Sequence, residues 1–424
     1  MSGCEAKVPA LRFKVTPAGN AEKAEGGRLP SNTGGRARTP VALWKRNRFG
    51  EIATRKSTMG NAVALPRVEY EDVIPFSGFF NNDIFAKPSD KIGVQFSEGD
   101  VLFGKLRPYL GNWILAEFKG LAVGDWWVLR PKGIDSEFLY TLIQSPSFQD
   151  VANQSSGSKM PRADWSLVSE TFFSCPNDPV EQRRIGSLFR SLDALIAGRE
   201  KSLDKLEALK KSMLLKMFPQ GDATVPEVRF KGFAGDWEKK RLGEWLSVAD
   251  NENRDGRFTA TDVLSVSGDY GVVNQIEFQG RSFAGVSLKH YRILMTNQVV
   301  YTKSPLKRAP FGIVKANLFK DGIVSALYGV YDLVGSDSAF IQFYFESLPR
   351  LNNYFRPLVN KGAKNTLLIN DEDAISGEVI FPSLPEQQKI GAYFRSLDAL
   401  IAARREEIGK LKQMKKALLE RMFV

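Results

Sequence analysis

The sequence predicts a mixed α/β (α+β) protein of two globular domains, separated and followed by long helices that pair as an antiparallel coiled coil. Three observations predict it. The nine residues FRSLDALIA run from Phe189 to Ala197 and return from Phe394 to Ala402, inside a longer repeat: Glu181–Phe218 and Glu386–Phe423 agree at 21 of 38 positions with a constant offset of 205. A repeat of that size sets the architecture before any local reading. Both copies carry apolar residues in steps of three and four, which argues for a long helix with a coiled-coil-like seam. The stretches between the copies carry short β-type runs and shorter helical patterns, which read as mixed α/β domains.

In chain order, residues 1–40 form an N-terminal extension. VPALRFK (Val8–Lys14) resembles VPEVRFK (Val225–Lys231), and WKRNRFGE (Trp44–Glu51) resembles WEKKRLGE (Trp237–Glu244). The spacing between these motifs is 24 residues longer in the first copy. The surplus contains AGNAEKAEGGRLPSNTGGRART, whose Gly and small polar residues read as a flexible insertion. Residues 41–180 form the first globular domain. Its runs VLFG and NWILAEF flank a basic turn, the pattern SEFLYTLIQSPSFQDVAN reads as helix, and WSLVSETFF reads as a closing strand. Residues 181–219 form the first long helix, with Pro179 before its first turn, Glu181 within it, and Pro219 and Gly221 to stop it. Residues 225–385 repeat the plan, with VVYT and FGIVKA around SPLKRAP, the helical stretch SAFIQFYFESLPRLNNYFRPLVN, and EDAISGEVIFP leading into the second long helix at 386–424. Thirty-eight helical residues span about 57 Å.

Helices with so wide an apolar face need cover, and two in one chain most simply cover each other. Chain order then makes the pairing antiparallel. Packing of each helix on its own domain alone is the other arrangement the pattern allows, but it leaves the match between the two helices unexplained. Phe189, Leu192 and Ile196, matched by Phe394, Leu397 and Ile401, lie on the apolar side as helix-pairing residues. Arg190 and Asp193, matched by Arg395 and Asp398, fall elsewhere and are candidate partner contacts.

Composition narrows the chemistry. The chain has 424 residues, 43% of them apolar and 25% charged, with a formal net charge of +11; its pI is near 9.4 and its mean hydropathy −0.23. The basic balance favours an acidic partner, nucleic acid before a membrane surface or an acidic protein. Two cysteines, Cys4 and Cys175, make neither a disulfide framework nor a four-ligand metal site. No apolar run reaches the length of a membrane span and no signal-peptide core follows the N-terminus, so a cytoplasmic location is expected. There is no GxxxxGK[ST] loop, no GxGxxG after a strand and no CxxC pair. The one histidine, His290, has no partner histidine and reads as structural or a surface group. Trp113, Trp126, Trp127 and Tyr109 read as core. These absences argue against an independent enzyme, with no metal site expected, and favour a binding or scaffold protein.

At this point the residues resemble a known family. PVEQRRIGSLFRSLDALIAGREKSLDKLEALKKSMLLKMF and PEQQKIGAYFRSLDALIAARREEIGKLKQMKKALLERMF look like the conserved regions of type I restriction–modification specificity subunits (the HsdS family). WEKKRLGE at a domain start and GDVLFGKLRPYLGN within a domain add to the resemblance, which covers essentially the whole chain. It implies that each globular domain is a target-recognition domain for one half of a split, asymmetric site in double-stranded DNA. It implies that the helices space the half-sites and dock two methyltransferase subunits, with restriction–translocase subunits joining through the assembly. S-adenosylmethionine, ATP and Mg2+ would belong to those partners, none of them to this chain. A protein scaffold that joins partners without reading DNA is the runner-up, and an independent DNA-modifying enzyme a third reading.

A reading domain needs cations for phosphates and polar groups for base edges. The two long repeats each carry 9 basic and 5 acidic residues, so most of the +11 lies on the helices and overall charge is a poor pointer to a reading surface. Local basic loops are better candidates for DNA binding: Lys105 and Arg107 in FGKLRPY, and Lys303, Lys307 and Arg308 in TKSPLKRAP, in similar places of the two copies. SGSKMPR and KGAKNTL form a second pair of loops, with Lys159, Arg162, Lys361 and Lys364 as candidates. A solvated charged turn is the competing reading for any one of them.

Overall fold

The computed structural model describes residues 44–86, 90–154, 159–285, 287–361 and 367–423; the N-terminal extension with its insertion lies outside them. Contacts divide the chain into two units, one running to Lys201 and resuming at Glu406, the other spanning Ser202–Arg405. The first unit contains β1 (Trp44–Arg48), β2 (Ala53–Lys56), β3 (Val101–Gly104), β4 (Trp113–Leu115), β5 (Trp126–Pro131), α1 (Ser136–Leu142), α2 (Pro146–Ala152), α3 (Trp165–Glu170) and β6 (Phe172–Pro176), before α4 (Pro179–Lys216) begins. Its main sheet is antiparallel in the order β2-β5-β3-β4, and β1 pairs antiparallel with β6. A second four-stranded sheet is built from Met59–Gly60, Gly93–Phe96, Gly120–Ala122 and Arg67–Val68.

The second unit contains β7 (Glu238–Arg241), β8 (Leu246–Val248), β9 (Val299–Thr302), β10 (Val314–Ala316), β11 (Tyr328–Leu333), α5 (Ser338–Glu346), α6 (Leu348–Phe355), α7 (Asp371–Ala374), β12 (Glu378–Phe381) and α8 (Leu384–Met422) as far as Arg405. Its sheet order, β8-β11-β9-β10, reproduces that of the first unit strand for strand, and β7 pairs antiparallel with β12 as β1 does with β6. Interiors that share almost no sequence therefore share a topology.

Two details depart from the sequence reading. WSLVSETFF does not form one strand: Asp164 caps Trp165–Glu170 as a helix by accepting from Ser166 N, and only Phe172–Pro176 is extended. EDAISGEVIFP splits the same way, with Asn370 capping α7. A side-chain cap satisfies an orphan helix N–H, which period-2 apolar patterning does not register. The helical stretches are each broken in two, where Pro146 and Pro349 open the second pieces.

The repeated motifs converge on one aromatic quartet per unit. In the first, Trp44, Phe138, Phe189 and Phe423 meet with ring centroids 5.6–6.4 Å apart. In the second, the matching Trp237, Phe340, Phe394 and Phe218 meet at 5.6–6.2 Å. All eight are buried. The end of α8 thus completes the first core, through Leu419, Met422 and Phe423, and Met217 and Phe218, just past the end of α4, complete the second.

The first turns of the two long helices also match for a packing reason. Gln182 donates to Pro176 O (2.8 Å) and accepts from Asp135 N (2.8 Å); Gln387 donates to Pro382 O (2.9 Å) and accepts from Asp337 N (3.1 Å). The buried Glu181 accepts from Trp44 Nε1 (3.1 Å), and the buried Glu386 from Arg229 Nε (2.7 Å). A Cβ at Gly186 would come within 2.7 Å of the Glu137 carbonyl carbon, and one at the matching Gly391 within 3.1 Å of Phe340 N. Glycine is required at Gly186 for the start of α1 to approach the long helix closely. Each long helix therefore packs on its own domain at its start, as well as pairing further along.

Helix pairing is visible inside each unit. In the first, Lys415 Nζ lies 2.5 Å from Asp193 Oδ1, Lys412 Nζ 2.7 Å from Glu200 Oε1 and Arg199 Nε 2.8 Å from Glu407 Oε1. In the second, Arg405 Nη2 lies 2.7 Å from Glu207 Oε1 and Lys210 Nζ 2.7 Å from Asp398 Oδ1. As the α4 number rises from 193 to 200, and from 207 to 210, the α8 number falls, so the helices run antiparallel.

Candidate nucleic-acid interface

In the first unit, two loops distant in sequence are joined by main-chain hydrogen bonds. Lys105, leaving β3, accepts at its O from Ala163 N (2.8 Å), and Arg107 N donates to Pro161 O (2.7 Å). Arg107 sits in the left-handed region at φ 50°, which a non-glycine residue adopts only when its surroundings hold it there. Pro108 follows and opens a short 3-10 turn. Both sets of candidate cations, Lys105 with Arg107 and Arg162, are thereby brought onto one surface.

One carboxylate organises that surface. Arg162 holds Asp125 bidentately, Nε–Oδ1 3.3 Å and Nη2–Oδ2 3.0 Å, and Lys105 Nζ lies 3.5 Å from Asp125 Oδ1. The Arg162 hydrogen bond holds the Asp125 carboxyl below the usual carboxylate range, with Lys105 adding to the effect. Behind it, Tyr70 donates to Asp125 O (2.6 Å) and accepts from Leu106 N (3.0 Å), and burial pushes its hydroxyl far above the ordinary tyrosine value. Tyr70 is thus a neutral fixture of the loop. Arg162 remains half exposed, and Lys159 is exposed.

The second unit repeats the backbone arrangement with other side chains. Lys303 N donates to Leu327 O (2.8 Å), as Lys105 N does to Asp125 O (2.9 Å), and Leu367 N donates to Lys303 O (3.3 Å), as Ala163 N does to Lys105 O. Lys303 itself points inward: its Nζ lies 2.7 Å from Oδ1 of the buried Asp371, which also binds Arg292. Only 15% of the Lys303 side chain is accessible, so Lys307 and Arg308, both exposed, are the cations this turn presents outward. Lys361 pairs through its backbone with Leu367, its side chain lies outside the described residues, and Lys364 lies outside them altogether.

The helix residues divide differently from the sequence reading. Phe189, Leu192, Ile196, Phe394, Leu397 and Ile401 are buried in helix and domain packing. Asp193, expected as an outward partner contact, is 3% exposed and faces Lys415, because a cation on the other helix meets it there. Arg190 is held by Glu117 and lies over the Tyr140 ring (5.9 Å), so its own domain occupies it. Asp398 is half exposed and bound by Lys210, whereas Arg395 is exposed. Tyr109, expected in the core, is 54% exposed; Trp113, Trp126 and Trp127 are buried. His290 is exposed beside Glu252.

Asp125, Tyr70, Asp371 and Arg292 are the organising residues that sequence reasoning missed. The WW that follows Asp125 marks a buried strand but says nothing of the acid before it. Among the described residues no group of three or more His, Cys, Asp or Glu side chains is placed to hold a metal ion, and no helix is long and apolar enough to cross a membrane.

The fold and loops define a class: a tandem pair of topologically equivalent α/β domains, each with a basic turn tied by main-chain hydrogen bonds to a segment distant in sequence, joined to matched antiparallel helices. The chain is a relative of type I restriction–modification specificity subunits. A putative type I restriction enzyme specificity subunit (MjaX) of Methanocaldococcus jannaschii is 26% identical over 257 residues, 56% of this chain and 55% of the relative, so the match spans about half of that protein's length. The MjaIX type I restriction enzyme specificity subunit of the same organism is 24% identical over 312 residues, 70% of each chain. The crystal structure of the type I restriction–modification S subunit from M. genitalium superposes with a TM-score of 0.59 at 13% identity, over 92% of this chain and 98% of that one, a likeness of fold. No protein-family model matches the chain. The reading as a recognition subunit without catalysis of its own agrees with these relatives, which are named specificity subunits.

Proposed function

We propose that this chain is the DNA-sequence-specificity subunit of a type I restriction–modification complex. Each globular domain reads one half of a bipartite, asymmetric site in double-stranded DNA. The paired helices hold the two domains in register and dock two methyltransferase subunits, through which restriction–translocase subunits join. The observation that carries this reading is the double loop. At equivalent places of one topology, Lys105 to Ala163 and Lys303 to Leu367 are tied by the same main-chain bonds, while the side chains around them differ. A constant scaffold with variable, basic loops is what reading two unequal half-sites requires: cations position the phosphate backbone, and the varied polar groups meet base edges.

The chemistry then belongs to the partners, which supply S-adenosylmethionine, ATP and Mg2+ sites in the cytoplasm, where the DNA is. Of the candidate partner contacts on the helices, Arg395, exposed on α8, is the cation offered to a methyltransferase surface. The test mixes the chain with its methyltransferase subunits and selects from a random duplex library. Enrichment of a single bipartite motif is expected. Salt-sensitive binding with no enriched sequence contradicts the reading and favours a scaffold that joins partners without reading bases.

A further inference from the structure

The two long helices match so closely that a second copy of the chain could compete for each. α4 could pair with another chain's α4, and α8 with another α8. The positions where the repeat has diverged decide against this. Glu200 and Glu207 of α4 correspond, at the offset of 205, to Arg405 and Lys412 of α8. Both pairs are in contact: Lys412 Nζ with Glu200 Oε1 at 2.7 Å in the first unit, and Arg405 Nη2 with Glu207 Oε1 at 2.7 Å in the second. The first helix is acidic at both positions and the second basic at both.

The other repeated pair behaves differently. Asp193–Lys415 and Lys210–Asp398 are the same contact in the two copies, since Asp193 corresponds to Asp398 and Lys210 to Lys415. In the same register, α4 against a second α4 would keep Asp193 opposite Lys210. It would also set Glu200 against Glu207 twice. α8 against a second α8 would set Arg405 against Lys412 twice. The Arg199–Glu407 contact (2.8 Å) has no counterpart in a pair of first helices, because the residue matching Glu407 is Ser202; a pair of second helices would keep it as Arg404–Glu407, so rejection of that pair rests on Arg405 and Lys412. The Asp–Lys pairs therefore fix an antiparallel register for any two of these helices, and the reversed layer admits only unlike ones.

We propose that this charge reversal selects the chain's own second helix as the partner of its first and rejects a second copy of the chain. The side chains involved are 36–58% exposed, and such pairs add little to stability alone. Partner choice depends on the difference between attraction and repulsion at the same places, which exceeds either term. The inference stands whether or not the chain reads DNA.

The test uses the full chain. E207K/K412E exchanges one acid and one base between the helices and leaves the composition unchanged. It creates like-charge contacts at both intrachain positions and complementary ones between two copies of the same helix. At low salt the unaltered chain is expected at single-chain mass by light scattering. E207K/K412E is expected to shift toward two-chain mass with rising concentration, and its single-chain form to melt about 3–6 °C lower, a deficit that closes at high salt. E207K/R405E, complementary at both intrachain positions, is expected to keep the single-chain mass and melting temperature. Failure of E207K/K412E alone to fold supports the proposal. An unaltered chain that dimerises, an E207K/K412E chain that matches it in mass and melting, or failure of both variants to fold overturns it.

Discussion

Replacing Lys415 by alanine tests how the two halves of the helix pair differ. Lys415 Nζ is held by Asp193 Oδ1 (2.5 Å) and Gln144 Oε1 (2.7 Å), with side chains 11% and 2% exposed for the ion pair. Its repeat, Lys210, meets Asp398 and Glu346, whose side chains are 41% and 26% exposed. K415A strands a carboxylate that water does not reach, with only the Tyr140 hydroxyl (3.4 Å) and nearby charge left to it, a loss of about 3–5 kcal/mol. K210A leaves two carboxylates that water can reach, a loss of about 1 kcal/mol. For units of this size the two losses correspond to roughly 6–20 °C and roughly 2–4 °C in melting temperature. Acid should narrow the K415A deficit. Burial already pushes the Asp193 carboxyl above its usual range, against the pull of Lys415, and K415A removes that pull. A folded-state value above the unfolded one means that protonation favours the folded state. Stability is therefore regained as pH falls through the raised folded value toward the unfolded one, near about 4. Thermal melts of the three proteins at a series of pH values, each variant referred to the unaltered chain at the same pH, measure both effects. A K415A deficit no larger than that of K210A, or one that widens on acidification, refutes the reasoning.

Other consequences are simpler to read. D125N should free Arg162 and Lys105 from their shared carboxylate and tighten binding to random duplex several-fold at low salt, as fluorescence anisotropy would record; unchanged binding would remove these cations from the interface. K307A/R308A should lower the slope of log affinity against log salt by about 2 if each contacts a phosphate, whereas K303A should cost stability through Asp371 and leave that slope unchanged. F394A should cost about 3–5 kcal/mol by removing the ring that stacks on Phe218 in the second aromatic quartet, read by denaturant unfolding. G186A should cost about 1–3 kcal/mol, because the added methyl meets backbone where α1 begins.

The helices were legible because apolar period and repetition are local properties of the chain. Phe189 and Phe394 announce a buried face, and the structure puts them there. What the repeat was for was less legible. Its first two turns, with Glu181, Gln182 and Gly186, match Glu386, Gln387 and Gly391 chiefly because each helix docks on its own domain, whereas the pattern suggested pairing alone. Asp193 reads as a surface acid because the cation that buries it lies at the far end of the chain. Lys303 reads as a free cation for the same reason, since Asp371 comes from a capped turn that looked like strand. Side-chain destination depends on long-range partners, and a single sequence does not state those pairings. The positions of the double loops were legible because both lie beside strand patterns, but their junction by hydrogen bonds between backbones was not.

The central claim is that sameness lies in the helices and the scaffold, and that each domain reads its own half-site. It is tested most directly by replacing residues 225–385 with the corresponding domain of another specificity subunit and sequencing the methylated sites made with the same methyltransferase subunits. The account predicts one half-site changed, the other and the spacing between them retained. A change in both half-sites, or a retained original motif, would contradict it.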